Sequence, residues 1–384
     1  MLVLGGVARA DEPAAPDATT DAAILGTDPG WRVEGVDLRV VYFDQQGHGY
    51  QSQDGPTTGP GDEATTIIEP WVAIQLRQSA TVRHEVVIPV DVVTAASPDA
   101  LDAMTSASRR NEAAGVDVRT SIKRSDVTTL STHVAFHWEE PLSSGTLGAG
   151  WRRSLADDNA AIAVNANLTV DGFDINDVNG RYQGKSARET GNLNLAASQL
   201  LSPTTVIDGS YGVTWQHGTL AQTWNAVPVD GGEPIGELFP SDRVRHAFTG
   251  RIAQHVPQTR STVKAWYRYY RDDFGVRAHT VELSLYQYVV PWLYVRGGAR
   301  FHRQNGASFF TTGLPAIPMP GAPRTADSDL APFDARELSL GLAIVPDRAP
   351  KALRGIAVTV EALRYWRDND LVVHAGAIGV ARRF

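Results

Sequence analysis

The chain has 384 residues, a formal net charge of -8, 42% hydrophobic and 20% charged residues, and no cysteine. That composition excludes a disulfide framework, a thiolate metal site and a cysteine nucleophile, and the acidic balance gives no hint of a nucleic-acid partner. No run approaches the ~18 consecutive apolar residues of a membrane helix, and 35 Gly with 22 Pro favour many turns over a helical bundle.

Residues 1–10 read as the remnant of a signal peptide. Met1 to Val7 is apolar, and Ala8-Arg9-Ala10 has the small-x-small form of a cleavage site. Residues 11–29 begin with a Pro, Ala and Asp-rich stretch and read as a flexible periplasmic leader.

From Trp31 the chain alternates with a period of two, which puts one residue set on each face of a strand. In the first segment Val36, Leu38, Val40 and Tyr42 take one parity, against Asp37 and Arg39. In the second, Ile68, Val72, Ile74 and Leu76 alternate with Glu69, Gln75 and Arg77. The same reading places strands near 31–43, 65–77, 81–94, 112–122, 127–138, 145–155, 160–171 and 189–201. It continues with 203–216, 242–256, 260–271, 278–289, 291–303, 334–346, 354–366 and 370–384.

These segments are mostly longer than an average globular strand of about 5–6 residues and match the ~9–11 residues of a tilted membrane strand. Their connections alternate in length. Tight turns at 78–80, 123–126, 202, 257–259 and 290 alternate with longer loops, among them 44–64, 95–111, 172–188, 217–241 and 304–333. Short turns at one rim and long loops at the other are the arrangement of an outer-membrane barrel. Aromatic residues gather on the long-loop side: Trp138, Trp215, Tyr269 and Trp366 as a girdle, with Phe43, Tyr270, Phe301 and Tyr365 nearby. The expected fold is therefore all-β: a 16-stranded antiparallel transmembrane β-barrel over residues 30–384, with short periplasmic turns and long extracellular loops. An even strand count returns both termini to the periplasm.

The last strand closes on Phe384, with Val380 and Ile378 at the same parity. This ending resembles the assembly signal of Gram-negative outer-membrane proteins. It implies the barrel-assembly machinery as a partner, besides outer-membrane lipid and lipopolysaccharide.

Parity also assigns a lumen. A basic wall is expected from Arg245, Arg251, Lys264, Arg268, Arg296 and Arg300, with Glu282 and Tyr294 among them. A milder arc carries His133, His137, Asn165 and Asn167. A pore so lined is wet and favours anions near the arginines. The alternative is that these arginines are matched by Glu282, Glu337 and Glu361. Loop 304–333 is the longest, and its Phe309, Phe310, Leu314, Ile317 and Met319 are apolar for a solvent loop. A constriction or plug in the lumen, a cap on the mouth and a partner contact all fit it. The run Asp171 to Asp177 offers Asp171, Asp174, Asn176 and Asp177 but lacks the full spacing of a calcium loop. No metal or cofactor is expected. Ser131, His133 and His137 share a parity without a convincing third member, and no phosphate loop, HExxH or haem motif occurs, so no catalytic role is assigned.

The stretch from Val90 to Asp99 (VDVVTAASPD) and the turn Ser154 to Asn159 (SLADDN) resemble a bacterial barrel family known as domain of unknown function 3570. The resemblance implies a fold and an outer-membrane location. Members associated with flavin-transfer and thioredoxin-like proteins imply a periplasmic or lipoprotein partner in a redox-linked envelope system. The leading functional expectation is a porin-like channel for small hydrophilic solutes. The alternative is a plugged barrel that docks such partners.

Overall fold

Alternating segments of this length become strands because each can pair on both sides and keep its polar groups away from its apolar ones. A computed structural model describes residues 30–47, 64–95, 111–139, 142–176, 181–221 and 226–384. It contains sixteen long strands: β1 (Arg32–Gln46), β2 (Thr65–Arg77), β3 (Val82–Ala95), β4 (Asn111–Ser125), β5 (Thr128–Glu139), β6 (Leu142–Leu155), β7 (Ala160–Asn176) and β8 (Tyr182–Ser202). The second half is β9 (Thr205–Gly218), β10 (Asp242–Val256), β11 (Ser261–Asp272), β12 (Arg277–Val290), β13 (Leu293–Gln304), β14 (Phe333–Ile344), β15 (Ile356–Arg367) and β16 (Val372–Arg383). The expected leader, most of the loops 44–64 and 95–111, and Asp177 lie outside the described residues.

Every strand pairs antiparallel with its sequence neighbour, and β16 pairs with β1 from Gly35↔Arg383 to Gln46↔Val372. The ladder is closed, so no edge strand is left with unpaired backbone groups. A 12-residue strand such as β15, at ~3.3 Å per residue and tilted by about 40°, spans roughly 30 Å, the thickness of a hydrocarbon core. Phe384 extends the seam, its backbone N–H donating to the Glu34 carbonyl.

Six of the seven connections at one rim are tight: 78–81, 126–127, 156–159, 203–204, 257–260 and 291–292; the seventh, 345–355, is longer and carries two short 3-10 turns. The turn 156–159 holds Ala156, Asp157 and Asp158 successively at φ 53°, 53° and 67°, a left-handed path that Asp tolerates better than most residues. Two strands reach further than the alternation indicated. Residues 172–188, expected as a loop, are mostly ladder, paired from Asp171↔Arg188 to Asn176↔Tyr182. The hairpin projects past the apolar zone, and its polar composition hid it among loop residues.

The two faces differ sharply. Outward parity carries exposed Leu38 and Val40 on β1, Val134 and Phe136 on β5, Leu283 and Leu285 on β12, Leu338 and Leu340 on β14, and Ile378 and Val380 on β16. A soluble monomer rarely exposes an apolar patch of more than a few hundred Å²; a belt running around the whole cylinder suits lipid. Inward parity is mostly polar. The exception is one arc near the long-loop rim, where Phe43, Val373 and Ala375 are buried against Ile67, Leu363 and Tyr365.

Candidate functional site

The interior is organised by ion pairs. Glu282 of β12 sits at the centre: its carboxylate accepts from Arg300 Nε at 3.0 Å, Arg296 Nη2 at 3.5 Å and Ser284 Oγ at 2.9 Å. Arg300 also reaches Glu337 Oε2 at 3.1 Å, and Arg39 donates to Glu361 Oε2 at 2.9 Å. Arg296 lies 3.8 Å from Glu361, so the ladder runs from β1 across β15, β14 and β13 to β12. Aromatic faces extend it: Arg300 lies 5.5 Å from the Trp266 ring, and Lys264 lies 4.6 Å from the Tyr286 ring. Tyr294 packs beside Tyr286 and Tyr288. Side-chain ladders of this kind suit arginine, whose fork holds two carboxylates at once.

All six expected basic-wall residues face the interior, but the structure divides them. Arg296 and Arg300 follow the matched alternative. Arg251 is also matched, its Nε donating to both Asp208 oxygens at 2.8 and 3.0 Å. Arg245 instead donates to Gln216 Oε1. Arg268 is exposed to the interior and has no carboxylate partner among the described residues. Arg245, Arg268, Tyr270, Asn192, Asn194 and Thr214 line a recess of about 340 Å³ together with the small residues Gly212 and Ala247. The uncompensated positive charge is thus concentrated on β10 and β11.

On the milder arc, Asn165 and Asn167 face inward as expected. His133 Nε2 lies 2.9 Å from Asp117 Oδ2, and His137 Nε2 lies 3.6 Å from Glu139. Asp117 stands on the neighbouring strand and was missed, because only register brings it to His133. Ser131 makes no hydrogen bond to His133 among the described residues. Asp171 is buried on the inward parity and bound by Arg188 Nε at 2.8 Å, while Asp174 takes the opposite parity. The acids of this segment therefore diverge.

The four girdle residues, Trp138, Trp215, Tyr269 and Trp366, all take the outward parity close to the long-loop rim, with Trp138 49% exposed. Phe43, Tyr270 and Tyr365 do not belong with them. They point inward, because nearness to a loop fixes height on the barrel whereas parity fixes face. At the opposite rim Arg382 lies over the Phe384 ring at 5.2 Å.

Two long loops fold together over this mouth. Arg324 and Leu238 exchange backbone hydrogen bonds, and the Glu237 carboxylate accepts from Thr325 Oγ1 and the Ala326 N–H. A core of Phe274, Val276, Ala307 and Leu330 forms beneath, packed by Phe239, Phe309 and Phe310. The segment 328–331 then descends onto the inner wall. Gln304 Nε2 donates to the Asp329 and Ala331 carbonyls, and Arg367 Nη2 donates to Asp329 Oδ1 at 2.5 Å. Arg367 is nearly buried, stacked 4.2 Å from the Phe333 ring and bonded to Tyr365 Oη at 2.9 Å. Of the apolar loop residues, Phe309 and Phe310 join this core, whereas Ile317 and Met319 remain exposed. The described contacts of the pair fall on one arc of the wall, from the end of β9 to β15.

A closed 16-stranded barrel with an apolar exterior, a charged interior and a loop folded over its mouth is a transmembrane β-barrel. The chain belongs to the family described as "Protein of unknown function (DUF3570)", whose model matches residues 124–349. The SLADDN turn lies inside that match and the Val90–Asp99 stretch lies outside it. No curated protein matches the chain. Among solved structures it is similar to a BenF-like porin from Pseudomonas fluorescens Pf-5, at 9% identity over 92% of this chain and 99% of that one, with a TM-score of 0.47. It is also similar to Pseudomonas aeruginosa OpdK, solved with vanillate (9% identity, 91% and 98% coverage, TM-score 0.44), and to Pseudomonas aeruginosa OpdQ (8% identity, 92% and 98% coverage, TM-score 0.45).

Proposed function

We propose that the protein resides in a bacterial outer membrane and lets small hydrophilic solutes diffuse passively through its lumen, narrowed at the outer mouth by loop 304–333. The observation that carries this reading is the pairing of an apolar outer belt with an interior lined by arginines, carboxylates and asparagines. Such an interior holds water, and sixteen strands enclose a bore wide enough for a channel. Phe384 on the final strand serves the barrel-assembly machinery. No catalytic step or resident cofactor is part of the proposal.

The co-folded loops support a second reading, in which the barrel is plugged and serves as a docking partner for a lipoprotein or periplasmic protein of a redox-linked system. Swelling of proteoliposomes in sugars and amino acids separates the two. Size-dependent swelling supports the channel. Folded, inserted protein that leaves the vesicles tight overturns it and leaves the plug.

A further inference from the structure

The outward face holds one charge arrangement that neither the barrel nor its lumen requires. Arg271 of β11 and Arg277 of β12 stand directly opposite each other in the ladder, both exposed. Like charges in that position destabilise a strand pair. Neither side chain has a carboxylate partner among the described residues. His246 stands across from Arg271 on the other side, so a basic row crosses three strands. Other arginines on this face are satisfied differently: Arg303 holds Asp334 at 2.6 Å, and Arg364 lies over the Trp366 ring.

The row borders a cleft of about 510 Å³ that opens outward between β10 and β12. Two acids also touch this cleft: Asp272 is bound by Arg243 on the inner side, whereas exposed Asp273 keeps its charge, its Oδ2 accepting only the Val244 N–H at 2.9 Å, so the two arginines outnumber the one unmatched carboxylate. Below the row lies a tyrosine level. Tyr211 Oη and Tyr267 Oη hydrogen-bond His246 Nδ1 and His279 Nδ1 at 2.8 and 2.7 Å. Further down, Val281, Leu283 and Leu285 form an exposed apolar strip. Cations above an amphipathic ring level above apolar surface is the order in which a lipid presents phosphate, interface and chains.

We infer that this cleft seats the phosphorylated headgroup of a lipid of the outer leaflet, its phosphate between Arg271 and Arg277 and its acyl chains along the apolar strip. Two guanidiniums offer an anion paired donors, and the anion relieves their mutual repulsion. The inference rests on the membrane placement proposed above and is independent of whether the lumen conducts.

The test uses the full chain, delipidated in neutral detergent and titrated with monophosphoryl lipid A, phosphatidylcholine and inorganic phosphate, with native mass spectrometry as the readout. Monophosphoryl lipid A should bind in preference to phosphatidylcholine. At roughly a factor of five per arginine, the R271Q/R277Q double variant should weaken it about twenty-five-fold. The R271K/R277K variant should retain part of the affinity, and Arg336→Gln, on the same face outside the cleft, should retain all of it. A heat-dependent gel shift verifies that each variant is folded. Equal binding by the double variant overturns the inference, as does displacement of the lipid by inorganic phosphate at comparable concentration. Recovery of the chain as a detergent-free soluble particle instead overturns the membrane placement, a result read before any titration.

Discussion

Replacing Arg367 with Met tests how the mouth is held. Its side chain is 3% exposed and bonds Asp329 Oδ1, the Ser328 carbonyl and Tyr365 Oη, while stacking on Phe333. Methionine keeps much of the volume and removes the charge. Loss of the charge-assisted bond to Asp329 costs about 1.5–3 kcal/mol, and loss of the stack on Phe333 adds about 0.5–1 kcal/mol. The penalty of a stranded carboxylate is discounted because the Asp329 side chain is 40% exposed and thus only partly buried. The sum, about 2–4 kcal/mol, corresponds to a rise of roughly thirtyfold to a thousandfold in the undocked population of segment 326–332. Hydrogen exchange of that segment should accelerate accordingly while β14 and β15 stay protected. Single-channel records should show more frequent transitions to a larger open level. Unchanged exchange and unchanged conductance together would refute the idea that Arg367 anchors the loop.

Further outcomes follow from the same geometry. Deleting residues 306–331 should enlarge the unitary conductance, because the segment that descends onto the inner wall is removed; an unaltered conductance would show that the narrowing lies elsewhere. The R245Q/R268Q variant should shift the reversal potential in a salt gradient toward cations, since these guanidiniums lack carboxylate partners, whereas Glu282→Gln should shift it toward anions by removing one of the carboxylates that Arg296 and Arg300 share with Glu361 and Glu337. Docking of the loop should also depend on pH. Burial, and then the charge of neighbouring Asp329, raise the Asp327 carboxyl from 3.8 to about 6. Burial pushes Asp329 the same way, but Arg367 outweighs it and holds that carboxyl below its usual value. An acid whose pKa is raised on docking weakens docking as pH climbs through the window from about 4 to about 6. After correction for intrinsic exchange, protection of 326–332 should therefore be greater at pH 5 than at pH 8. The Asp329 contribution is lost only in stronger acid, below pH 3.8.

The strands were legible because alternation is a local signal. The parity that exposes Leu283 to lipid also sends Glu282 inward, so the faces of Arg245, Arg268, Arg296 and Arg300 could be read without coordinates. What parity cannot give is register. Asp208 lies 43 residues from Arg251 and Asp117 lies 16 from His133, and only the paired ladders make them neighbours. The mismatch between matched and unmatched arginines was invisible for that reason. The extended β7–β8 hairpin escaped notice because beyond the bilayer both faces meet water and the alternation fades. The mouth was legible only as an oddly apolar loop: its partner, loop 219–241, contacts it across 88 residues of sequence, through Glu237 and Thr325. The inward turn of Tyr365 and Arg367, which anchors that loop, was a matter of parity that a grouping of aromatics by height overlooked.

Conductance of the purified full chain in planar bilayers bears most directly on the whole account. A barrel with a hydrated interior and a loop covering one arc of its wall should insert in discrete steps of uniform conductance. Protein that inserts, shows the heat-dependent gel shift of a folded barrel and passes no current would contradict it.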